Sequence, residues 1–140
     1  MMATLLVPSR PMRDVTGTVL HLVDPISFWG GVSPEDGRLL EPANAAQGRS
    51  VAGRILLIRE LRGSSSASSV LLELIRRGQA PAAIVLAEAD AILALGIFVA
   101  HEMDWPTPPL LRMAVDRQRR IGADERVTIT AEGDLRLGGS

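Results

Sequence analysis

The sequence predicts an α/β fold: a mixed sheet with two main helices. Three observations carry that expectation. Short apolar runs alternate with stretches of helical spacing, the runs at 51–61 and 82–86 lack the polar alternation of a half-exposed strand, and Gly or Pro punctuates the junctions. Alternating strands and helices imply some parallel pairing, and strands apolar throughout are covered on both faces.

The elements follow in order. A loose start containing Pro8 and Pro11 reads as a flexible arm over 1–14, and 15–140 as a single domain. Residues 15–23 alternate as a strand does, and Pro25 ends them. Ser27-Phe28-Trp29-Gly30-Gly31 reads as an ordered loop whose glycines allow geometry closed to other residues. Ser33 to Gly37 is turn chemistry, continued as an irregular connection to Gly48. The buried strand expected at 51–61 is broken by Gly63, and a serine tract from Ser64 to Ser69 leads into Val70, Leu71, Leu74 and Ile75. That spacing is helical and stops at Gly78. Residues 82–86 form a second short buried strand, and Asp90 caps an apolar helix reaching about Met103. Beyond the extended prolines at 106, 108 and 109, residues 110–115 read as a strand, and 127–130 with 135–137 as a hairpin.

Composition excludes several kinds of chemistry. With 140 residues, 46% of them hydrophobic, one core forms without disulfides or a structural metal. The absence of cysteine removes thiolate ligands for zinc or an iron-sulfur cluster and any thiol nucleophile, and the absence of lysine removes Schiff-base and P-loop chemistry. A net charge of -1 without lysine or tyrosine is not the basic, aromatic-studded face that nucleic acid requires. No leader pattern opens the chain and no apolar run suits a membrane span, so a cytoplasmic protein is expected.

The chemistry-bearing residues centre on Gly63-Ser64-Ser65-Ser66, where a buried strand meets a helix. Amide N–H groups and the positive helix end converge there and favour an oxyanion. The alternative is that one serine only caps the helix, worth about 1 kcal/mol; pattern alone favours this. No Gly-x-Ser-x-Gly is present, and His21 and His101 receive no role. Arg62 stands where it can hold an anionic substrate or an alkoxide, or else is an exposed strand end. Phe28 and Trp29 read equally as a contact surface or as rings plugging the local core. Arg117, Arg119 and Arg120 read as a solvated cluster.

Taken together, Pro25-Ile26-Ser27-Phe28-Trp29-Gly30-Gly31, the tract Gly63 to Ser66, and Glu73-Leu74-Ile75 leading to Ala80-Pro81-Ala82-Ala83-Ile84-Val85 resemble the small subunit of the aconitase X family. The resemblance runs from about Val15 to the end. It implies a swivelling β/β/α domain that docks on a large catalytic subunit, with the iron-sulfur cluster held by cysteines of that partner and no metal on this chain. The implied activity is that of a dehydratase, a hydro-lyase acting on cis-3-hydroxy-L-proline in bacteria or mevalonate 5-phosphate in archaea. Ser64 matches the serine that removes the substrate proton as an alkoxide. Arg62, Gly63, Ser65 and Ser66 then surround the substrate, with Ser66 where ordinary aconitases have arginine, and Ser27 to Gly31 form the loop at the partner and active site.

Two departures stand out: Glu41-Pro42-Ala43-Asn44-Ala45-Ala46 replaces an Asp followed by a His-Pro pair, and Arg59-Glu60 replaces a proline-containing approach to the serine turn. A lysine-free, alanine- and arginine-rich composition looks bacterial and favours the hydroxyproline. The competing expectations are a mevalonate 5-phosphate dehydratase subunit and a noncatalytic binding or regulatory module.

Overall fold

The computed structural model describes residues 3–63 and 65–138. Its elements are β1 (Thr4–Val7), β2 (Val15–Leu22), the single turn α1 (Phe28–Gly31), β3 (Ile55–Ile58), α2 (Ala67–Arg76), β4 (Ala83–Leu86), α3 (Ala91–Glu102), β5 (Leu110–Arg112), the short α4 (Val115–Gln118), β6 (Arg126–Ile129) and β7 (Leu135–Leu137). Among the described residues the strands form a seven-stranded sheet in the order β1-β5-β4-β3-β2-β6-β7. Strands β2, β3, β4 and β5 run parallel, while β1, β6 and β7 add antiparallel pairs at the two ends.

The apolar runs divide strictly by parity. Leu56 and Ile58 of β3 and Ile84 and Leu86 of β4 pack with Leu71 and Leu74 of α2 and Leu93 and Ile97 of α3. Ile55, Leu57, Ala83 and Val85 face the other way, into a second cluster with Val127 and Ile129 of β6, Leu135 of β7 and Leu5 of β1. Side chains of both outermost strands therefore meet in one cluster, so the sheet curls until its ends enclose the second core. The result is two β layers and one helical layer, which is the predicted α/β class with its two main helices.

Local chemistry ends the helices where expected. After α2, Gly78 adopts φ 70° and Gln79 N–H donates to the Leu74 carbonyl at 2.8 Å, with Gly78 N–H to Ile75 at 3.1 Å, a Schellman closure. Asp90 opens α3 by accepting from Leu93 N–H at 2.9 Å. The outer face of α3 leaves Leu95, Phe98, Val99 and Met103 exposed.

Three expectations need correction. Residues 4–7, expected in a flexible arm, form β1 and pair with β5. The strand expected over 51–61 is regular only at Ile55–Ile58, because 51–54 form a turn closed by Arg54 N–H to the Val51 carbonyl at 3.1 Å, and beyond Ile58 the pairing resumes as an isolated bridge between Leu61 and Ile26. The strand expected over 110–115 stops at Arg112, where the buried Gln118 side chain takes the Met113 carbonyl at 3.0 Å and Val115 begins α4.

Helix α3 crosses the first turn of α2 at Gly96. A Cβ there would lie 3.0 Å from the Ser68 carbonyl oxygen and 3.3 Å from its Cα. Gly96→Ala is therefore expected to separate the helices at the serine turn and lower stability by about 1–3 kcal/mol, measured as the urea midpoint. An unchanged midpoint would show that the two helices are not held this close.

Candidate active site

The carboxyl ends of β2 and β3 lie side by side, and their pairing continues past the strands. Ile26 N–H donates to Glu60 carbonyl at 3.1 Å and Arg62 N–H donates to Ile26 carbonyl at 2.8 Å. This short parallel ladder binds the Ser27 to Gly31 loop to the approach to the serine turn. Two segments far apart in sequence thus form one corner.

Within α1 the backbone is a type II turn rather than a helix: Trp29 has φ -73°, ψ 116° and Gly30 φ 79°, ψ -16°. The second central position of that turn requires positive φ, which explains the glycine. The turn separates the two rings. Phe28 is fully buried in the helix-side core, whereas Trp29 is 60% exposed. The core-plugging reading holds for Phe28 and not for Trp29, whose ring is left free for a contact. Leu40, whose N–H donates to the Gly31 carbonyl at 2.9 Å, and Val23 at the end of β2 are exposed as well. Ser27 is half-buried and makes no side-chain cap bond.

Ser64 lies outside the described residues. On either side of it Gly63 and Ser65 are exposed, and Ser66 occupies the N-cap position of α2 without a side-chain cap bond, contrary to the simple capping alternative for that residue. The hydroxyls of Ser68 and Ser69 donate back to the Ser65 and Ser66 carbonyls at 3.4 and 2.7 Å and tighten the turn. A Cβ on Gly63 would lie 3.8 Å from Asp90 Oδ2, so the serine turn and the start of α3 are neighbours.

Beside this turn, at the carboxyl ends of β3 and β4, lies a cleft of about 410 Å³. Arg59, Glu60, Leu61, Glu88, Asp90 and Val115 are among its lining residues. Arg62 does not line it; its side chain is exposed and only its backbone is tied into the corner.

Arg59 is the cation of the cleft, and it is held by neutral groups. Its Nη1 donates to Gln118 Oε1 at 2.6 Å and its Nη2 to His21 Nδ1 at 2.9 Å. Fully buried Gln118 is itself locked by donation to the Ile58 and Met113 carbonyls, each at 3.0 Å. With Nδ1 accepting, the His21 proton sits on Nε2 and is donated to the Ile121 carbonyl at 2.8 Å. Burial, and then the neighbouring Arg119 charge, lower the Arg59 pKa. The guanidinium stays charged at neutral pH.

Burial pushes His21 below its ordinary 6.5; the Ile121 hydrogen bond opposes this and the Arg59 charge adds to it. On acidification the unfolded chain therefore takes up this proton before the folded one, so stability is complete above about 6.5 and falls with pH below it. His101, lowered by burial and then by Arg10, adds to the same slope. The urea midpoint is expected to be lower at about pH 5 than at about pH 7, with a smaller difference in His21→Asn. Equal pH dependence in the two chains would contradict a neutral His21.

Sequence reasoning missed Arg59, His21 and Gln118 as a unit. Parity held the signal: Arg59 continues the face of Ile55 and Leu57, which is buried, and an arginine on such a face needs partners. His101 bonds Thr107 Oγ1 at 2.7 Å, away from the corner. In the altered segment, buried Asn44 Oδ1 accepts from Ala46 N–H and Asp24 accepts from Ala45 N–H, both at 2.9 Å, which fastens the segment to the residue before Pro25. Arg119 and Arg120 are exposed, as expected of a solvated cluster, whereas Arg117 is half-buried. Among the described residues no group of three or more His, Cys, Asp or Glu side chains is arranged to hold a metal, and no helix is long and apolar enough to cross a membrane.

The fold is an α/β domain with a polar cleft at the carboxyl ends of its parallel strands, the end where α/β sheets commonly hold small ligands. The chain belongs to the aconitase X swivel domain family, which matches residues 9–137. It is 46% identical over 102 residues to a cis-3-hydroxy-L-proline dehydratase of Pseudomonas aeruginosa, covering 72% of this chain but only 18% of that longer one. It is 37% identical over 112 residues to the phosphomevalonate dehydratase small subunit of Methanothermobacter thermautotrophicus, covering 78% of this chain and 86% of the relative. The crystal structure of Thermococcus kodakaraensis aconitase X in its holo-form superposes with a TM-score of 0.81 at 26% identity, covering 96% of this chain and 95% of that one.

Proposed function

We propose that this chain is the small subunit of a cytoplasmic heteromeric hydro-lyase that dehydrates cis-3-hydroxy-L-proline and is inactive without its large catalytic partner. The observation that carries the reading is the corner itself. A ladder of backbone hydrogen bonds holds the exposed Trp29 turn against the serine turn, beside a polar cleft, in a chain of a family whose relatives include dehydratases.

In this reading Ser64, as alkoxide, takes the proton on the carbon bearing the carboxylate. The C–H electron pair becomes the new double bond as the C–O bond of the adjacent hydroxyl breaks, and the departing hydroxide leaves as water on taking up a proton from the Ser64 hydroxyl, which returns Ser64 to its alkoxide. The amino end of α2 favours the alkoxide electrostatically, and closure by the partner would remove competing water. An iron-sulfur cluster does not fit this chain, which has no cysteine. The large subunit would hold it, and no step assigned to this chain passes through it. Arg62, Gly63, Ser65 and Ser66 would frame the substrate, and Ser27 to Gly31 would meet the partner.

Co-expression with the large subunit tests the reading. The reconstituted pair is expected to dehydrate cis-3-hydroxy-L-proline, and the chain alone to do nothing. Turnover of mevalonate 5-phosphate alone, the reading that the Methanothermobacter relative favours, would overturn the substrate. A copurifying pair inert toward both would point to the noncatalytic module that the altered Glu41 to Ala46 segment suggests.

A further inference from the structure

The Arg59 guanidinium lines the cleft, is oriented by two side chains, and forms no ion pair among the described residues, since both its partners are neutral. A half-buried cation surrounded by neutral acceptors retains N–H groups and charge for an anion, and the planar guanidinium suits a carboxylate. The support is costly to build. Gln118 is completely buried and spends its amide on two main-chain carbonyls, and His21 is held in one tautomer, so neither can swing away when Arg59 is loaded.

The rest of the lining has the opposite sign. Glu60, Glu88 and Asp90 line the same cleft, and Asp90 gives one oxygen to Leu93 N–H. Among the described lining residues one cation, with the Arg119 charge nearby, stands with three carboxylates, which disfavours a ligand carrying both a phosphate and a carboxylate. This arrangement accepts a molecule whose own positive group faces the acidic side.

We propose that Arg59 is a substrate-binding residue: held by His21 and Gln118, it receives the carboxylate of a small zwitterionic amino acid whose ammonium faces Glu60, Glu88 and Asp90. This rests on the dehydratase reading and deepens it, because it names the charge pattern that would separate the hydroxyproline from the phosphorylated alternative. A cation on the carboxylate would also stabilise the negative charge that develops as the neighbouring C–H is broken.

Calorimetry on the copurified pair tests it with three probes: L-proline, L-prolinamide without the carboxylate, and tetrahydrofuran-2-carboxylate without the ammonium. L-proline is expected to bind about 10- to 100-fold more tightly than either analogue, the effect of one hydrogen bond to a charged group. Arg59→Gln should abolish the preference over prolinamide while leaving that over the furan acid, and Arg59→Lys should retain part of the first. Near-ultraviolet circular dichroism establishes that each variant is folded, and if Arg59→Gln is not, Arg59→Lys and the analogue series on the unaltered pair still decide the matter. An unaltered pair that binds proline and prolinamide equally, or a folded Arg59→Gln that keeps the full preference, would overturn the proposal. A pair that dehydrates the hydroxyproline without this dependence loses Arg59 and keeps the dehydratase; an Arg59-dependent preference in a pair that does not dehydrate keeps Arg59 and loses the reaction.

Discussion

Ser64→Ala in the assembled pair is expected to reduce dehydration by about 10²- to 10⁴-fold, the range associated with a positioned general base. The loss should fall on kcat, since a hydroxyl acting on the proton contributes little to holding the substrate. Assembly and thermal stability should be unchanged, because the neighbouring Gly63 and Ser65 are exposed. Steady-state kinetics with a solvent-exchange measurement at the substrate carbon separates the alternatives. Full activity in the variant would remove Ser64 from the mechanism, and a loss confined to KM would make it a binding residue.

The second large effect comes from two adjacent aromatic residues acting oppositely. Phe28 has no exposed surface and packs with the core under α2, so Phe28→Ala should cost about 3–5 kcal/mol in the isolated chain. Trp29 is mostly exposed, and Trp29→Ala should leave the urea midpoint within about 0.5 kcal/mol. Its effect belongs to assembly, where a buried tryptophan anchor is commonly worth about 2–4 kcal/mol. Affinity for the large subunit should fall accordingly, by roughly 30-fold or more. Equal stability losses in the two variants would mean that Trp29 is part of the core and that the rim of Val23, Trp29 and Leu40 is not an interface.

The parallel centre of the fold was legible because Ile55–Ile58 and Ala83–Leu86 are buried on both faces, and a strand of that kind leaves an uninterrupted apolar run. β1 was not legible: four residues ahead of Pro8 carry too little pattern, and their pairing with β5 is decided more than a hundred residues away. The corner was legible through the resemblance carried by the Ser27 to Gly31 string and the serine tract, since each keeps its local chemistry. The Arg59 support was not. His21 and Gln118 stand 38 and 59 residues from Arg59, and only the parallel register of β2 on β3 and the turn into α4 bring them together. For Phe28 and Trp29 the sequence left two readings open, and the type II turn at Gly30 sends Phe28 into the core and leaves Trp29 exposed.

The serine turn is expected to become an active site only when another chain closes over it. A crystal structure of this chain with the large subunit measures that directly. The partner is expected to cover Trp29 and the stretch from Gly63 to Ser66, enclosing the Arg59 cleft together with the partner's cofactor. A partner seated instead on the exposed face of α3, around Leu95 and Phe98, with the serine turn open to solvent, would contradict it.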